Sequence, residues 1–404
     1  MRLTYGLHVF IAPNLLYNNI MLRNFTIDRH EQTRRDRPVL SFVRSESKVK
    51  SIWQYLKRYE DPAFVVQRIK TDYPNVEKSL RDKKAQHIAD CIRQAEEYFK
   101  TASGSDLSIK PLILYYGMLD LVKAIMLLGD NRLTLEDNVL KSEGLNSHGL
   151  SHSVMPNTDD EAIRDNPDNL LGEFCYTKSA MTSNSVFSLL HQCWSSARLA
   201  KNTRIELGSL LSAHPATWQS YTEHTKKIPK YFKVKDGFRT TKNGYEHILL
   251  FDATFPFQAY NQKIGKAEEN NAFLQQQMPR LASLYDNENI STPYGYVSKK
   301  IPNSLEEFQP AYRASTGESY TLADVIQSNP LHPIEIEFLT MFILGSLTRY
   351  APQKWLKNVK YGGLGEMFVV EGAITSATVS FPKMILEELD NRDYVFTGDS
   401  SYFG

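Results

Sequence analysis

A chain of 404 residues exceeds the usual size of one hydrophobic core, which predicts two domains or one domain with large additions. With 42% hydrophobic and 23% charged residues, its composition is that of an ordinary soluble globular protein. The formal net charge of +1 excludes a globally basic nucleic-acid coat protein and an acidic solvating chain, but not a local basic patch.

The cysteines and the hydropathy pattern indicate a cytoplasmic protein without membrane contact. Cys91, Cys175 and Cys193 are too few for a disulfide framework, and their spacing lacks the CxxC pair of structural zinc sites. The N-terminal stretch has no clean apolar core followed by a cleavage site, so we predict folded structure there and no signal peptide. No window reaches the roughly 18 uninterrupted apolar residues of a membrane span. We also predict no cofactor.

In chain order, the first elements are a partly extended leader and then helices. The leader covers residues 1–50, and its charged run at 28–38 predicts a solvated linker. Asp61 is suited to cap a helix that has Pro62 at its first position. Apolar residues at steps of three and four then predict a long helix from Val76 to Ala102.

The segment LSIKPLILYYGMLDLVKAIMLL, residues 107–128, predicts a buried core helix. Its charged residues are better placed at the rim of that helix, where Asp120 and Lys123 can pair as i, i+3 neighbours. The hydroxyls of Tyr115 and Tyr116 need hydrogen-bond partners if the rings are buried.

The rest of the chain predicts a polar middle with a helix at Ser185–Leu199, a β-rich segment, and a helical end. Asp236-Gly237 and Asn243-Gly244 are turn signals within the β-rich segment. The predicted parts are therefore a leader at 1–50, the first part of a helical core at 51–225, a β-hairpin insertion at 226–260, and the C-terminal part of the helical core at 261–404.

Three segments occur in an order that is typical of one family. They are QAEEYFKTA (94–102) with the apolar segment after it, LNSHGLSH (145–152), and LGSLTRYAPQKW (344–355). Together they resemble the YaaC-like proteins of bacteria over about residues 51–390. The resemblance implies a mainly helical fold, and the helix pair is also similar to the HEPN superfamily, whose members often cleave RNA or bind nucleotides.

The HEPN resemblance implies an R-x(4–6)-H element, in which arginine orients a phosphate and histidine assists attack by a 2′-hydroxyl. Arg81 and His87 match this spacing on the first helix of the pair, so they are candidate catalytic residues. Six positions on a helix leave them about 120° from a shared face, so a local bend would be needed. The alternative is that both belong to the solvated surface.

At the last core helix the chain reads Arg349-Tyr350-Ala-Pro-Gln-Lys-Trp355, with tryptophan where the resemblance implies histidine. Tryptophan cannot transfer the proton, so a nuclease built here would be degenerate. Arg349 remains a candidate phosphate ligand. The alternative is that Arg349 pairs with a carboxylate and Trp355 packs in the core.

The SHGLSH element makes His148 a further candidate catalytic residue. His148 and His152 have the i, i+4 spacing that binds a metal on a helix, and Asp159–Glu161 could complete such a site in space. Gly149 instead predicts a loop or a close backbone approach. A loop histidine that acts as base or phosphate donor, and structural hydrogen bonding, are the other interpretations.

A basic segment is the strongest nucleic-acid feature. Its cations are Lys226, Lys227, Lys230, Lys233, Lys235, Arg239 and Lys242, with Tyr231, Phe232 and Phe238 between them. Cations for phosphates and aromatic rings for bases suit single-stranded nucleic acid. Lysines that protect a solvated edge strand are the alternative.

The sequence therefore predicts a mainly α fold, with a HEPN-like helical bundle core and a β-rich inserted segment. Two functions fit it. In the first, the protein engages RNA or nucleotides as a stress or antiviral defence component, with or without ribonuclease activity. In the second, it is a non-catalytic interaction or scaffold subunit that binds a protein partner or another copy of itself. The basic segment favours the first function, and Trp355 favours the second.

Overall fold

The structure, a computed structural model, describes most of the chain in separate stretches. They are residues 40–45, 47–129, 148–152, 169–178, 185–195, 199–241, 244–251, 276, 296–300, 312–313, 319–326, 331–361 and 364–397. Within 235–251, 296–300 and 312–313 the description is of the backbone alone. The leader up to residue 39 and the acidic Asp159–Glu161 run lie outside the described residues.

The fold is mainly helical, as the sequence predicts, and residues 48–129 form a series of helices. They are α1 (Lys48–Leu56), a 3₁₀ turn (Lys57–Glu60), α2 (Pro62–Asp72), α3 (Lys78–Gly104) and α4 (Lys110–Gly129). The Asp61 side chain accepts a hydrogen bond from the Ala63 N–H, with Pro62 at the first helical position, so this predicted cap is confirmed. The short connection between α3 and α4 makes the two long helices pack as antiparallel neighbours.

The later helices pack on α4 or on one another. They are α5 (Val186–Gln192), α6 (Leu207–Ala213), α7 (Trp218–Thr225), α8 (Pro333–Tyr350), α9 (Pro352–Tyr361) and α10 (Leu364–Asp390). A capping box begins α8, because the Glu335 carboxylate accepts from the His332 N–H and the His332 ring accepts from the Ile334 N–H. Both α8 and α10 pack against α4.

Three small sheets complete the described fold. In the first, β1 (Leu40–Arg44) pairs in parallel with β10 (Asp393–Thr397). In the second, β2 (Leu150–His152), β3 (Phe174–Thr177) and β4 (Arg204–Glu206) are antiparallel. The third contains β5 (Tyr231–Thr241), β6 (Gly244–Phe251), β7 (Tyr296–Lys300), β8 (Tyr312–Arg313) and β9 (Ser319–Leu322), in the order β7-β6-β5-β9-β8.

Several predicted boundaries need correction. The β-rich part does not end at residue 260, because β7, β8 and β9 extend it to Leu322 within the stretch predicted as helical core. Asp236-Gly237 is not a turn, since Asp236 pairs with Leu249 inside the β5–β6 ladder. The reversal comes after Thr241, where the Asn243-Gly244 signal lies. The helix predicted at Ser185–Leu199 ends at Gln192.

The segment at 107–128 forms the core helix α4. Its residues Leu114, Met118, Leu121 and Val122 are fully buried, and each such side chain contributes about 1.5–3 kcal/mol by leaving water. In the described part of the chain, α4 is the one helix long and apolar enough to cross a membrane, but 78% of its apolar window is buried inside the protein. This packing is consistent with a soluble protein.

Candidate functional site

The adjacent tyrosines of α4 reach polar partners on two other elements. The Tyr115 hydroxyl lies 2.7 Å from Nδ1 of His148, and Nη1 of Arg349 donates to the Tyr116 hydroxyl at 2.9 Å. Tyr115 is buried and Tyr116 is half-buried. We call Tyr115, Tyr116, His148 and Arg349 the tyrosine site. It brings together two of the four predicted catalytic residues.

The backbone around His148 is fixed from both sides. The His148 carbonyl accepts from the Phe187 N–H at 3.2 Å, and the Gly149 carbonyl accepts from the Lys178 N–H at 3.0 Å. Gly149 has φ +73°, and a Cβ there would lie 2.0 Å from Oγ of Ser185. This is the close backbone approach that the glycine predicts, and it orients the histidine ring towards α4.

Arg349 lies in the last turn of α8, where a cation also interacts favourably with the helix dipole. Gly345 allows α8 to approach α4, since a Cβ at this position would lie 3.3 Å from Cβ of Tyr115. The Arg349 side chain is exposed, and its guanidinium lies 5.1 Å from the ring centroid of Tyr350. Among the described residues its hydrogen-bond partner is a hydroxyl, and no carboxylate pairs with it.

The site has a positive electrostatic environment. Burial, together with the charges of Lys123, Lys178 and Arg349, lowers the pKa of His148 below its ordinary value of 6.5. Burial is also the main cause that raises the pKa of Tyr115 well above 10.0. At neutral pH the imidazole and the phenol are therefore both uncharged. The positive charge comes from the lysines and Arg349.

The lysines contribute unequally to this environment. Lys123 pairs with Asp120 at 2.9 Å, as the i, i+3 spacing predicts, and burial raises the pKa of Asp120. Lys178 is exposed, at the end of β3. Arg349 and Lys178 are therefore the cations that can interact with an anion from solvent.

Arg81 and His87 lie elsewhere on α3. Tyr98 is the α3 residue at the tyrosine site, because its ring stacks on Tyr116 at 6.0 Å. At 1.5 Å per residue, His87 is about 16 Å and Arg81 about 25 Å from Tyr98 along the helix. The Arg81 guanidinium donates to the Val76 carbonyl at 3.4 Å. The structure thus does not bring this predicted pair to the other two candidates.

Trp355 is fully buried in α9, and its Nε1 donates to the Ser108 carbonyl at 2.9 Å. This bond attaches α9 to the connection that precedes α4. The residue that replaces the implied histidine is therefore a structural anchor, which fits the interpretation that Trp355 packs in the core.

The basic segment is divided by the fold. Lys226 and Lys227 are exposed just after α7. Lys230 is directed inward, because its Nζ donates to the Asp324 carbonyl at 2.6 Å and burial lowers its pKa. Lys233 is half-buried, the side chains of Lys235 and Arg239 are outside the described part, and so is the whole of Lys242.

The aromatic residues of this segment also differ from the prediction. Tyr231 and Phe232 are buried, and the Tyr231 ring stacks on Trp218 and Tyr320 at 5.4 and 4.7 Å. These two rings are therefore not available to stack on bases. The edge-strand alternative needs correction too, because β5 lies between β6 and β9 in the sheet order.

His152 and His148 contact different side chains. His152 is fully buried beside Glu173, with Nε2 and Oε2 3.2 Å apart. Although burial raises the pKa of Glu173, its hydrogen bonds to His152 and Lys354 outweigh that effect and lower it. Across the described stretches there is no group of three or more His, Cys, Asp or Glu residues that could hold a metal ion.

The comparison with protein families gives one result. A family model described as YaaC-like protein matches residues 43–389, which is well over half of the chain. The chain belongs to the YaaC-like family. The tyrosine site of this YaaC-like protein lies wholly within the matched part. No curated protein and no solved structure matches the chain, so the HEPN resemblance stays a prediction.

Sequence motifs predict His148 and Arg349 as site residues, but the pattern around Tyr115 and Tyr116 predicts only core residues that need partners. The signal for their role is the pair of adjacent hydroxyls in a mainly apolar helix, together with His148 and Gly149 of the SHGLSH element. Lys178 belongs to no local motif. Its position beside the site results from the pairing of β2 with β3, which local sequence patterns do not predict.

Proposed function

We propose that this YaaC-like protein binds a phosphate group of RNA or of a nucleotide at the tyrosine site. The observation that carries the proposal is the exposed guanidinium of Arg349, which the Tyr116 hydroxyl orients and which no described carboxylate neutralises. A planar guanidinium donates two parallel hydrogen bonds to a phosphate. Lys178 adds a second accessible cation nearby.

The surroundings of Arg349 also suit an RNA strand. Tyr350 is exposed next to it, and Tyr98 and Tyr116 stack on each other at the edge of the site. Exposed aromatic rings beside cations are where unpaired bases stack in RNA-binding proteins. Lys226 and Lys227 remain exposed cations of the basic segment, and we propose that they contact the strand separately.

His148 gives the site a group suited to proton transfer. If Nδ1–H donates to the Tyr115 oxygen, Nε2 keeps its lone pair and can accept a proton from a 2′-hydroxyl. If Tyr115 donates to Nδ1, then Nε2 carries the proton and can donate to a phosphate. Phosphate binding and RNA cleavage are therefore tested with the same variants.

The cytoplasm is the location that we propose for this activity. Cys91, Cys175 and Cys193 are all free thiols, as in proteins of reducing compartments. A role in stress or antiviral defence rests on the HEPN resemblance alone, and we keep it as part of the proposal.

One observation favours the second function, a non-catalytic scaffold subunit. Trp355 fills the implied histidine position with a buried anchor, and Tyr361 and Leu356 of the same helix are exposed apolar side chains. A surface of this kind suits contact with a protein partner or a second copy of the chain.

The test is the affinity for a labelled single-stranded RNA, measured by fluorescence anisotropy at fixed salt. Arg349→Gln is expected to weaken binding about tenfold, the usual effect of losing a charge-assisted phosphate contact. Arg93→Gln is the matched control, because Arg93 is exposed and pairs with Asp90 at 3.0 Å. If Arg349→Gln and Arg93→Gln bind the RNA with equal affinity, the tyrosine site does not bind RNA.

Cleavage is followed with the same RNA on gels. If the protein is a ribonuclease, His148→Ala should abolish cleavage and His87→Ala should not. The opposite pattern would assign the chemistry to α3. Absence of both binding and cleavage in the unsubstituted protein would favour the scaffold function.

A further inference from the structure

A groove on the other side of α3 has the size of a small-molecule site. It lies between α1, α3 and α10, and its volume is about 560 Å³. Ligand sites of proteins commonly measure about 300–1,000 Å³. The apolar part of its wall contains Val49, Trp53 and Phe99, and the rings of Trp53 and Phe99 have centroids 5.3 Å apart.

The polar part of the wall is mainly basic. Lys50, Lys57 and Lys100 line the groove together with the single carboxylate of Glu96. Glu96 already pairs with Lys57 at 3.0 Å and with Lys100 at 3.3 Å, and Lys100 also pairs with Glu97, which lies outside the lining. Lys50 is exposed and has no carboxylate partner among the described residues. The lining therefore has an apolar wall and an excess of positive charge.

We infer that this groove binds a small organic anion with an apolar body, of the class of medium-chain carboxylates. The apolar body would lie against Trp53 and Phe99, where burial of hydrocarbon is favourable. The anionic head would lie beside Lys50, the cation without a carboxylate partner. The inference does not rest on the proposed phosphate site, because Tyr98 points about 200° around α3 from both Glu96 and Lys100.

The N-terminal segment, residues 1–39, is an unfavourable occupant of the groove because of its charge. Residues 1–39 contain six arginines and three acidic residues. A segment with this excess of positive charge would meet three lysines at the groove, which costs free energy.

The experiment compares two ligands of equal chain length by isothermal titration calorimetry, below their micelle concentrations. Decanoate carries a carboxylate, and decyltrimethylammonium carries a cation on the same alkyl chain. We expect decanoate to bind one site saturably and at least about tenfold more tightly than the cation. Ser103→Trp should abolish this binding, because Ser103 is an exposed lining residue whose enlargement fills the groove without disturbing the core.

Two charge variants test the head-group contact. Lys50→Glu should weaken decanoate binding about five- to tenfold. Lys78→Glu makes the same change in net charge, but it lies about 33 Å along α3 from Lys100 and should leave the affinity unchanged. No saturable decanoate binding, or unchanged binding in Ser103→Trp, would overturn the inference. Equal or tighter binding of the cation would also overturn it and would instead favour a basic segment such as residues 1–39.

Discussion

Tyr115 and Tyr116 are neighbours in sequence, yet their hydroxyls bond residues from distant parts of the chain. His148 comes from the segment after α4, and Arg349 comes from the end of α8. A buried phenol needs a partner for its hydroxyl, so each tyrosine stabilises one position of a polar neighbour. Two hydrogen bonds of a core helix thereby position a histidine and an arginine at the same surface.

The pKa of His148 should respond to Arg349. Because Arg349 is one of the charges that lower this pKa, Arg349→Gln is expected to raise it. The measurement is a pH titration of the His148 ring resonance by NMR. In Arg93→Gln the pKa should not change, since Arg93 is not among the groups that act on His148. A lower pKa of His148 in the Arg349→Gln variant would contradict the proposed effect of Arg349 on the histidine.

The same shift makes stability depend on pH. The folded pKa of His148 lies below its ordinary value of 6.5, so between the two values the unfolded chain binds more protons. The contribution of neutral His148 is therefore present above about pH 6.5 and is lost as pH falls through that range. His148→Gln should reduce the slope of unfolding free energy against pH below this value, as measured by urea denaturation at several pH values.

Gly149 is expected to tolerate no side chain. Gly149→Ala places a Cβ 2.0 Å from Oγ of Ser185 at a positive φ, so we predict a loss of about 2 kcal/mol in the free energy of unfolding. The free energy of unfolding of Gly149→Ala is measured by denaturant unfolding. Gly104→Ala is the control, because open space surrounds that position and no loss is expected. Equal stability of the two variants would contradict the close approach.

At the scale of elements, local patterns predicted the helices well. The cap at Asp61, the long helix α3 and the core helix α4 follow from spacing and turn chemistry that act within a few residues. The β-rich part was predicted less well, because β7 pairs with β6 and β9 pairs with β5 across many residues, and β8 in turn pairs with β9. The inward direction of the Lys230 side chain could not be predicted either, because its acceptor, the Asp324 carbonyl, lies on the distant segment after β9.

The contact between α4 and α8 depends on Gly345. Gly345→Leu should separate the helices, because even a Cβ lies 3.3 Å from Cβ of Tyr115, and overpacking of this kind costs about 2 kcal/mol. It should also weaken RNA binding by moving Arg349 away from Tyr116. Gly104→Leu adds the same side chain in open space and should leave both properties unchanged. Full RNA affinity in Gly345→Leu would show that the helix contact does not position Arg349.

For the whole molecule, strands next to the two ends of the family-matched part, residues 43–389, pair with each other. The parallel pair β1–β10 brings Leu40–Arg44 beside Asp393–Thr397. Next to it, the Asp390 carboxylate accepts hydrogen bonds from Arg58 at 2.6 Å, from the Tyr59 hydroxyl at 2.7 Å and from the Tyr394 hydroxyl at 2.5 Å. No local sequence motif predicts this cluster, because Arg58 and Tyr59 lie more than 300 positions before Asp390 and Tyr394.

Asp390→Ala removes the common acceptor of these three donors, one of which is the hydroxyl of the fully buried Tyr59. We predict a loss of about 2–3 kcal/mol in the free energy of unfolding, measured in urea. Asp90→Ala, on the exposed face of α3, should change stability by less than about 0.5 kcal/mol. A loss in Asp390→Ala as small as in the control would mean that the cluster does not hold the ends together.

We propose that a phosphate binds between Arg349 and His148, and the pKa of His148 responds to such binding. The measurement is the NMR titration of the His148 ring resonance with and without a saturating short single-stranded RNA. A bound phosphate adds negative charge beside the ring and offsets the cations, so the pKa is predicted to rise. Saturating RNA that leaves the pKa of His148 unchanged would contradict the claim, because the phosphate would then bind elsewhere.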